Sequence, residues 1–115
     1  MNEQPKTSQR PWGNFRQFTN GEPSTVKIIT VETGERLSLQ YHHHRQEFWM
    51  VLSGQPEVTI GTEVKKAEPG DEFKIAETVP HRLAAPSGPA EILEISFGQF
   101  DENDIVRLED DYGRS

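Results

Sequence analysis

Cysteine is missing from the 115 residues, and its absence excludes disulfides, thiolate metal sites and a cysteine nucleophile. Positive charge is also scarce: 12 lysines and arginines stand against 19 acids, for a net charge of −7. Nucleic-acid binding needs a basic face that displaces counterions, so a nucleic-acid partner is not expected. No stretch approaches the roughly 20 consecutive apolar residues of a membrane span, and no basic segment followed by an apolar one opens the chain. These absences predict a cytoplasmic protein that does not engage a membrane. Apolar residues are few as well, 32% of the chain before its nine glycines are counted, against about 45–50% with glycine in a typical soluble domain. A closed barrel or a homodimer interface would help one domain of this size reach adequate stability.

What is present is a rhythm of short β-rich runs separated by turn residues. Runs at 26–31, 36–40, 47–53, 57–60, 63–66, 72–75, 81–85 and 90–97 predict an all-β sandwich or barrel. Gly61-Thr62 reads as a two-residue hairpin turn with glycine first, as a type II′ turn requires. Residues 1–9 are polar and are expected to form a flexible N-terminus, leaving one domain over 10–115. Residues 101–115 hold six acids and two arginines; within them, 101–108 predicts a short helical turn with Asp101 as N-cap and Asp104 near its positive end.

Six positions carry the most chemistry: Gly34, Gln40, His42, Glu47, Gly54 and His81. Gln40 and His42 are two apart, so on an extended strand their side chains leave the same face. Glu47 opens the apolar run Phe48-Trp49-Met50-Val51-Leu52, which can return a carboxylate to the same interior, and His81 adds a fourth group from a later strand. This pattern predicts a metal site inside a small barrel. A rival set pairs His42 with His44 and keeps Glu47, but it breaks two of the spacings between Gly34 and Gly54.

The spacing from Gly34 to Gly54 resembles the first cupin motif, with Gln40 where that motif usually has its first histidine. Gly70-Asp71 and Pro80-His81 resemble the second, with Ala76 and Thr78 where proline and glycine are typical and Ala85 where asparagine is. A closer resemblance, to the type II phosphomannose isomerases, runs across residues 10–114. It is carried by Gly34-Glu35-Arg36-Leu37-Ser38-Leu39-Gln40-Tyr41-His42-His43-His44-Arg45-Gln46-Glu47-Phe48-Trp49, by Arg10-Pro11-Trp12-Gly13 and by His81-Arg82-Leu83. Two segments near the end, Asp104-Ile105-Val106-Arg107 and Asp111-Tyr112-Gly113-Arg114, extend it. The resemblance implies a single-domain cupin, a jelly-roll barrel, that interconverts mannose 6-phosphate and fructose 6-phosphate. In that family the cupin often follows a mannose-1-phosphate guanylyltransferase domain. No Gly-rich nucleotide loop occurs in these residues, so the isomerase half is implied, with a separately encoded guanylyltransferase as a candidate partner.

Two imidazoles, a carboxylate and an amide oxygen, from Gln40, His42, Glu47 and His81, suit one divalent ion among Zn, Mn, Co, Ni and Fe. Moving a proton between C1 and C2 of a sugar phosphate needs a base and stabilisation of the enediol's developing charge. His44 is the first candidate base, because its ordinary pKa near 6.5 suits the task. Lys27, on one strand face with Ile29 and Val31, is the second, and also reads as a solvated strand residue. Arginine's planar fork suits phosphate, which nominates Arg45, then Arg36 and Arg107. Trp12 and Trp49 are expected in the core, and Tyr112 either closes over the pocket or anchors the last segment. The alternatives are a non-catalytic module that binds a sugar or sugar nucleotide, and a different metal enzyme such as a dioxygenase or epimerase.

Overall fold

A computed structural model describes residues 6–114. Among them are eleven strands and no helix. β1 (Lys6–Arg10) and β2 (Gly13–Gln17) form a hairpin that pairs only with itself. One sheet has the order β3 (Ser24–Val31), β10 (Ala90–Phe97), β5 (Gln46–Ser53) and β8 (Glu72–Ile75). The other runs β11 (Val106–Glu109), β4 (Leu39–Tyr41), β9 (His81–Ala84), β6 (Glu57–Ile60) and β7 (Glu63–Lys66). Every pairing is antiparallel. β6 and β7 are joined by the expected Gly61-Thr62 turn, with Gly61 at φ +62.

The two sheets face each other across one core, and period-two alternation decides what enters it. From the four-stranded sheet come Val31, Ala90, Ile92, Val51 and Ile75; from the five-stranded sheet, Val58 and Leu83; all are buried. Toward the other end of the same strands the inward positions turn polar. Directly opposed residues share a face of an antiparallel sheet, so the register defines the rows. Phe73, Trp49, Glu94 and Lys27 form one row across four strands, and Ile75, Glu47, Ser96 and Thr25 the next. In the facing sheet Arg107, Gln40, His81 and Ile60 form a third. Half of the interior is therefore a hydrocarbon core and half is a polar chamber.

Several expectations need correction. Residues 101–108 form no helix: Asp101 Oδ1 accepts from the amide of Asn103 at 2.9 Å in a local turn, and the chain then extends as β11 beside β4. Asp104 is used elsewhere, as described below, and Val106 and Leu108 favour the extended backbone. Residues 6–9, expected to be flexible, belong to the first hairpin strand; 1–5 lie outside the described residues. The run at 36–40 begins its regular pairing only at Leu39, with Arg36 joined to Ala84 by an isolated bridge. Trp49 is buried, but Trp12 is 73% exposed at the hairpin tip.

Candidate metal centre

His42, Glu47 and His81 converge in the polar chamber, each almost completely buried. One ligand-type atom from each lies within 4.8 Å of the others. Glu47 Oε2 is 3.5 Å from His42 Nε2, and Glu47 Oε1 is 3.5 Å from His81 Nε2. The second nitrogen of each ring is committed: His42 Nδ1 lies 2.6 Å from the carbonyl of Asp104, and His81 Nδ1 lies 2.9 Å from that of Val79. A carbonyl only accepts, so both rings carry their proton on Nδ1 and turn a bare Nε2 lone pair toward Glu47. This is how proteins orient imidazoles that ligate metals.

Electrostatics favour the same state. Burial lowers the pKa of His42 to about 4 and also lowers that of His81, so both rings are neutral near pH 7. Glu47 is raised chiefly by burial and pulled back by the Arg45 guanidinium. Its Oε2 is buried without an aligned hydrogen bond. That oxygen already attracts one cation of the chain: Arg45 Nε is 3.1 Å away, while Arg45 Nη2 donates to His42 Nε2 at 3.0 Å. Two unprotonated imidazole nitrogens and a buried carboxylate oxygen, two of the three now facing the Arg45 guanidinium, fit a divalent cation with mixed nitrogen and oxygen ligands.

The loop between β4 and β5 holds the candidate ligand His42 in place. Asp104 Oδ1 and Oδ2 accept from the amides of His43 and His44 at 2.8 and 2.9 Å, so one carboxylate and its own carbonyl brace three successive histidines. From the other side, the amide of Thr78 donates to the carbonyl of His42 at 2.7 Å. Thr78 adopts φ +66, a conformation glycine takes readily and a β-branched residue rarely does; glycine is the residue typical of this position in the motif.

The other nominated residues divide. Gln40 lies directly across from His81, and its amide nitrogen donates a long 3.5 Å bond to the carbonyl of Ser38. The turn after Tyr41 ends the parity that would have carried His44 inward, and His44 is exposed. It lines a separate cleft of about 600 Å³ together with Arg45, Gln46, Phe18 and Phe97. Lys27 faces inward, its Nζ 4.4 Å from the centre of the Phe100 ring; the Arg45 guanidinium carbon is 4.6 Å from the same centre. Arg107 shares the inner row of Gln40 and His81. Arg36 is elsewhere, bound to the Asp111 carboxylate at 2.7 and 2.9 Å, while Tyr112 donates its hydroxyl to the Arg36 carbonyl at 3.0 Å. Of the two expectations for Tyr112, the anchoring one matches this contact.

The description that matches residues 1–110 of the sequence is mannose-6-phosphate isomerase C-terminal. The chain belongs to this family. The xanthan biosynthesis protein XanB of Xanthomonas campestris is 46% identical over 108 residues, covering 92% of this chain and 23% of that protein. Mannose-1-phosphate guanylyltransferase ManC of Salmonella typhimurium is 43% identical over 107 residues, covering 91% and 22%. The chain thus spans less than a quarter of the length of these relatives. Among solved structures, a cupin protein of Bacteroides fragilis superposes with a TM-score of 0.60 at 26% identity, covering 68% of this chain and 70% of that one.

The chamber also holds a residue that the motif spacing did not flag, Glu94. It is buried beside Glu47, and Trp49 Nε1 lies 3.2 Å from both Glu94 Oε2 and Glu47 Oε1. The Ser96 hydroxyl donates to Glu94 Oε1 at 3.4 Å. Burial, and then the charge of Glu47, raise its pKa to about 7. The alternation of Ala90, Ile92, Glu94 and Ser96 on one face of a strand was the available signal: a carboxylate in register with core residues.

Proposed function

We propose that this domain is a metal-dependent aldose–ketose isomerase acting on mannose 6-phosphate and fructose 6-phosphate. The observation that carries the reading is the convergence of His42, Glu47 and His81, with both imidazoles neutral and unprotonated at Nε2, in a chamber that also contains Lys27, Glu94 and Arg45. Gln40 is proposed as the fourth ligand because it shares an inner row with His81. A divalent ion bound there would act as a Lewis acid on the sugar oxygens. The metal's identity stays among Zn, Mn, Co, Ni and Fe, all of which this ligand set accommodates.

The residues of the chain supply the rest. Arg45 lies beside Phe100 at one side of the chamber and offers the positive charge a phosphate requires; Arg107, on the inner row with Gln40, is a further donor. Arg36, engaged with Asp111, is better read as the anchor of the last segment. Proton transfer between C1 and C2 needs a group inside the chamber. Lys27 is the better placed of the two nominated bases, whereas His44 would act only if the substrate bridges the chamber and the outer cleft. Trp49, by donating to Glu47 and Glu94 together, holds two carboxylates close without requiring both to ionise.

A second reading rests on the relatives: a domain that spans under a quarter of proteins such as ManC is also suited to bind a sugar for a separately encoded guanylyltransferase. No helix among the described residues is long and apolar enough to cross a membrane. The two readings separate in one experiment. Protein loaded with each divalent ion is given mannose 6-phosphate and assayed for fructose 6-phosphate, alongside His81→Ala, which should lose metal and turnover together. Binding of the sugar without product supports the module.

A further inference from the structure

His42 and His81 present the same tautomer but are held to it by different means. The carbonyl that accepts from His81 Nδ1 belongs to Val79, two residues away and just before β9. The carbonyl that accepts from His42 Nδ1 belongs to Asp104, 62 residues away. A neutral imidazole can carry its proton on either nitrogen, and the hydrogen bond at one nitrogen decides which lone pair is left for a ligand. The ligating state of His42 therefore depends on where a remote stretch of chain puts one oxygen atom.

The Asp104 side chain fixes the position of that oxygen. Both carboxylate oxygens are spent on the loop that His42 begins, Oδ1 on the His43 amide at 2.8 Å and Oδ2 on the His44 amide at 2.9 Å. Asp104 itself sits in a tight turn, its amide donating to the carbonyl of Asp101 at 3.0 Å, while the amide of Ile105 donates to the carbonyl of Asn103 at 2.9 Å. The chain then enters β11, where Val106 stands opposite Tyr41 and Arg107 opposite Gln40. Asp104 is thus the point at which the segment bordering Gln40 also grips the loop after β4.

We propose that Asp104 is a positioning residue of the metal centre: its carboxylate clamps the His43 and His44 amides, so that its carbonyl takes the Nδ1 proton of His42 and leaves Nε2 for the ion. This rests on the metal reading of the chamber and adds a residue that touches neither ion nor substrate. Once the clamp is released, the carbonyl is free to leave Nδ1 and the proton of His42 is free to move to Nε2, where it blocks ligation. His81, with its local carbonyl, keeps its tautomer. Groups that orient a ligating histidine contribute about 10- to 100-fold in metal affinity.

Two measurements on the full chain test it: cobalt(II) titration followed by d–d absorption, and long-range proton–nitrogen correlation spectra of the imidazoles in chelator-treated protein. Asp104→Ala should raise the cobalt dissociation constant about 10- to 100-fold and give His42 a fraction protonated at Nε2, while His81 stays protonated at Nδ1. Asp104→Asn keeps one acceptor oxygen for one of the two amides and should fall between Asp104→Ala and wild type in both readouts; being isosteric, it carries the test if Asp104→Ala does not fold. Asp111→Ala, which frees Arg36 in the same terminal segment without touching a histidine, should match wild type. Wild-type protein that takes up no cobalt overturns the metal reading and this proposal together. Wild type that binds cobalt, with Asp104 variants that bind it as tightly or keep the His42 tautomer unchanged, overturns this proposal alone. Equal losses in Asp104→Ala and Asp111→Ala also overturn it, since docking of the whole segment would then set the affinity.

Discussion

Glu94 shows how much a single residue can alter the electrostatics of a site. Its pKa is held at about 7 against an ordinary 4.5, chiefly by burial. Between those values the unfolded chain releases the proton and the folded one keeps it, so Glu94 contributes stability below pH 4.5 that is lost as the pH rises toward 7. His42 has the opposite sign: with its pKa lowered to about 4 from 6.5, stability is lost as the pH falls between those values. In the metal-free protein the two slopes partly cancel. Glu94→Gln removes one of them, so the variant should gain about 2 kcal/mol relative to wild type between pH 5 and pH 7. Urea unfolding at the two pH values measures this, and parallel pH dependences would refute it. Motif spacing brought out His42, Glu47 and His81, and the structure brings these three together. Glu94 belongs to no such spacing; only the pairing of β10 with β5 brings it to Glu47.

At the scale of elements, strand positions were largely legible and the ends of the chain were not. Apolar, β-prone runs over 47–53 and 90–97 marked β5 and β10, because such runs bounded by turn residues favour the extended backbone. The β1–β2 hairpin has no such face, so polar residues 6–9 resembled a flexible tail. The acids at 101–104 suggested a helix start, yet Asp104 satisfies two loop amides and its neighbours pair with β4. Turn glycines were legible but unequal in consequence. Gly54 adopts φ +82 at the end of β5, where a Cβ would meet the carbonyl oxygen of Pro89 and come within 2.9 Å of Ala90 Cα. Gly34 has the same φ with open space around it. Gly54→Ala should therefore cost about 3 kcal/mol, conformational strain plus the clash, and Gly34→Ala about 1 kcal/mol. Denaturant midpoints of the two variants provide the check, and equal losses would show that the Pro89 contact relaxes freely.

The whole molecule is a jelly roll divided along its strands, hydrocarbon at one end and titratable at the other. The fold class was legible from strand rhythm and motif spacing together, since few architectures accommodate so many short strands in 115 residues. The position of His44 was not, because a turn of unknown geometry separates it from β4. Function rests on whether the polar half performs chemistry or only binds. The most direct measurement follows mannose 6-phosphate by nuclear magnetic resonance in the presence of the full chain and one equivalent of divalent metal. The account predicts that fructose 6-phosphate appears, that a chelator stops it and that His81→Ala never starts it. Metal and sugar both bound, with no fructose 6-phosphate formed, would contradict it.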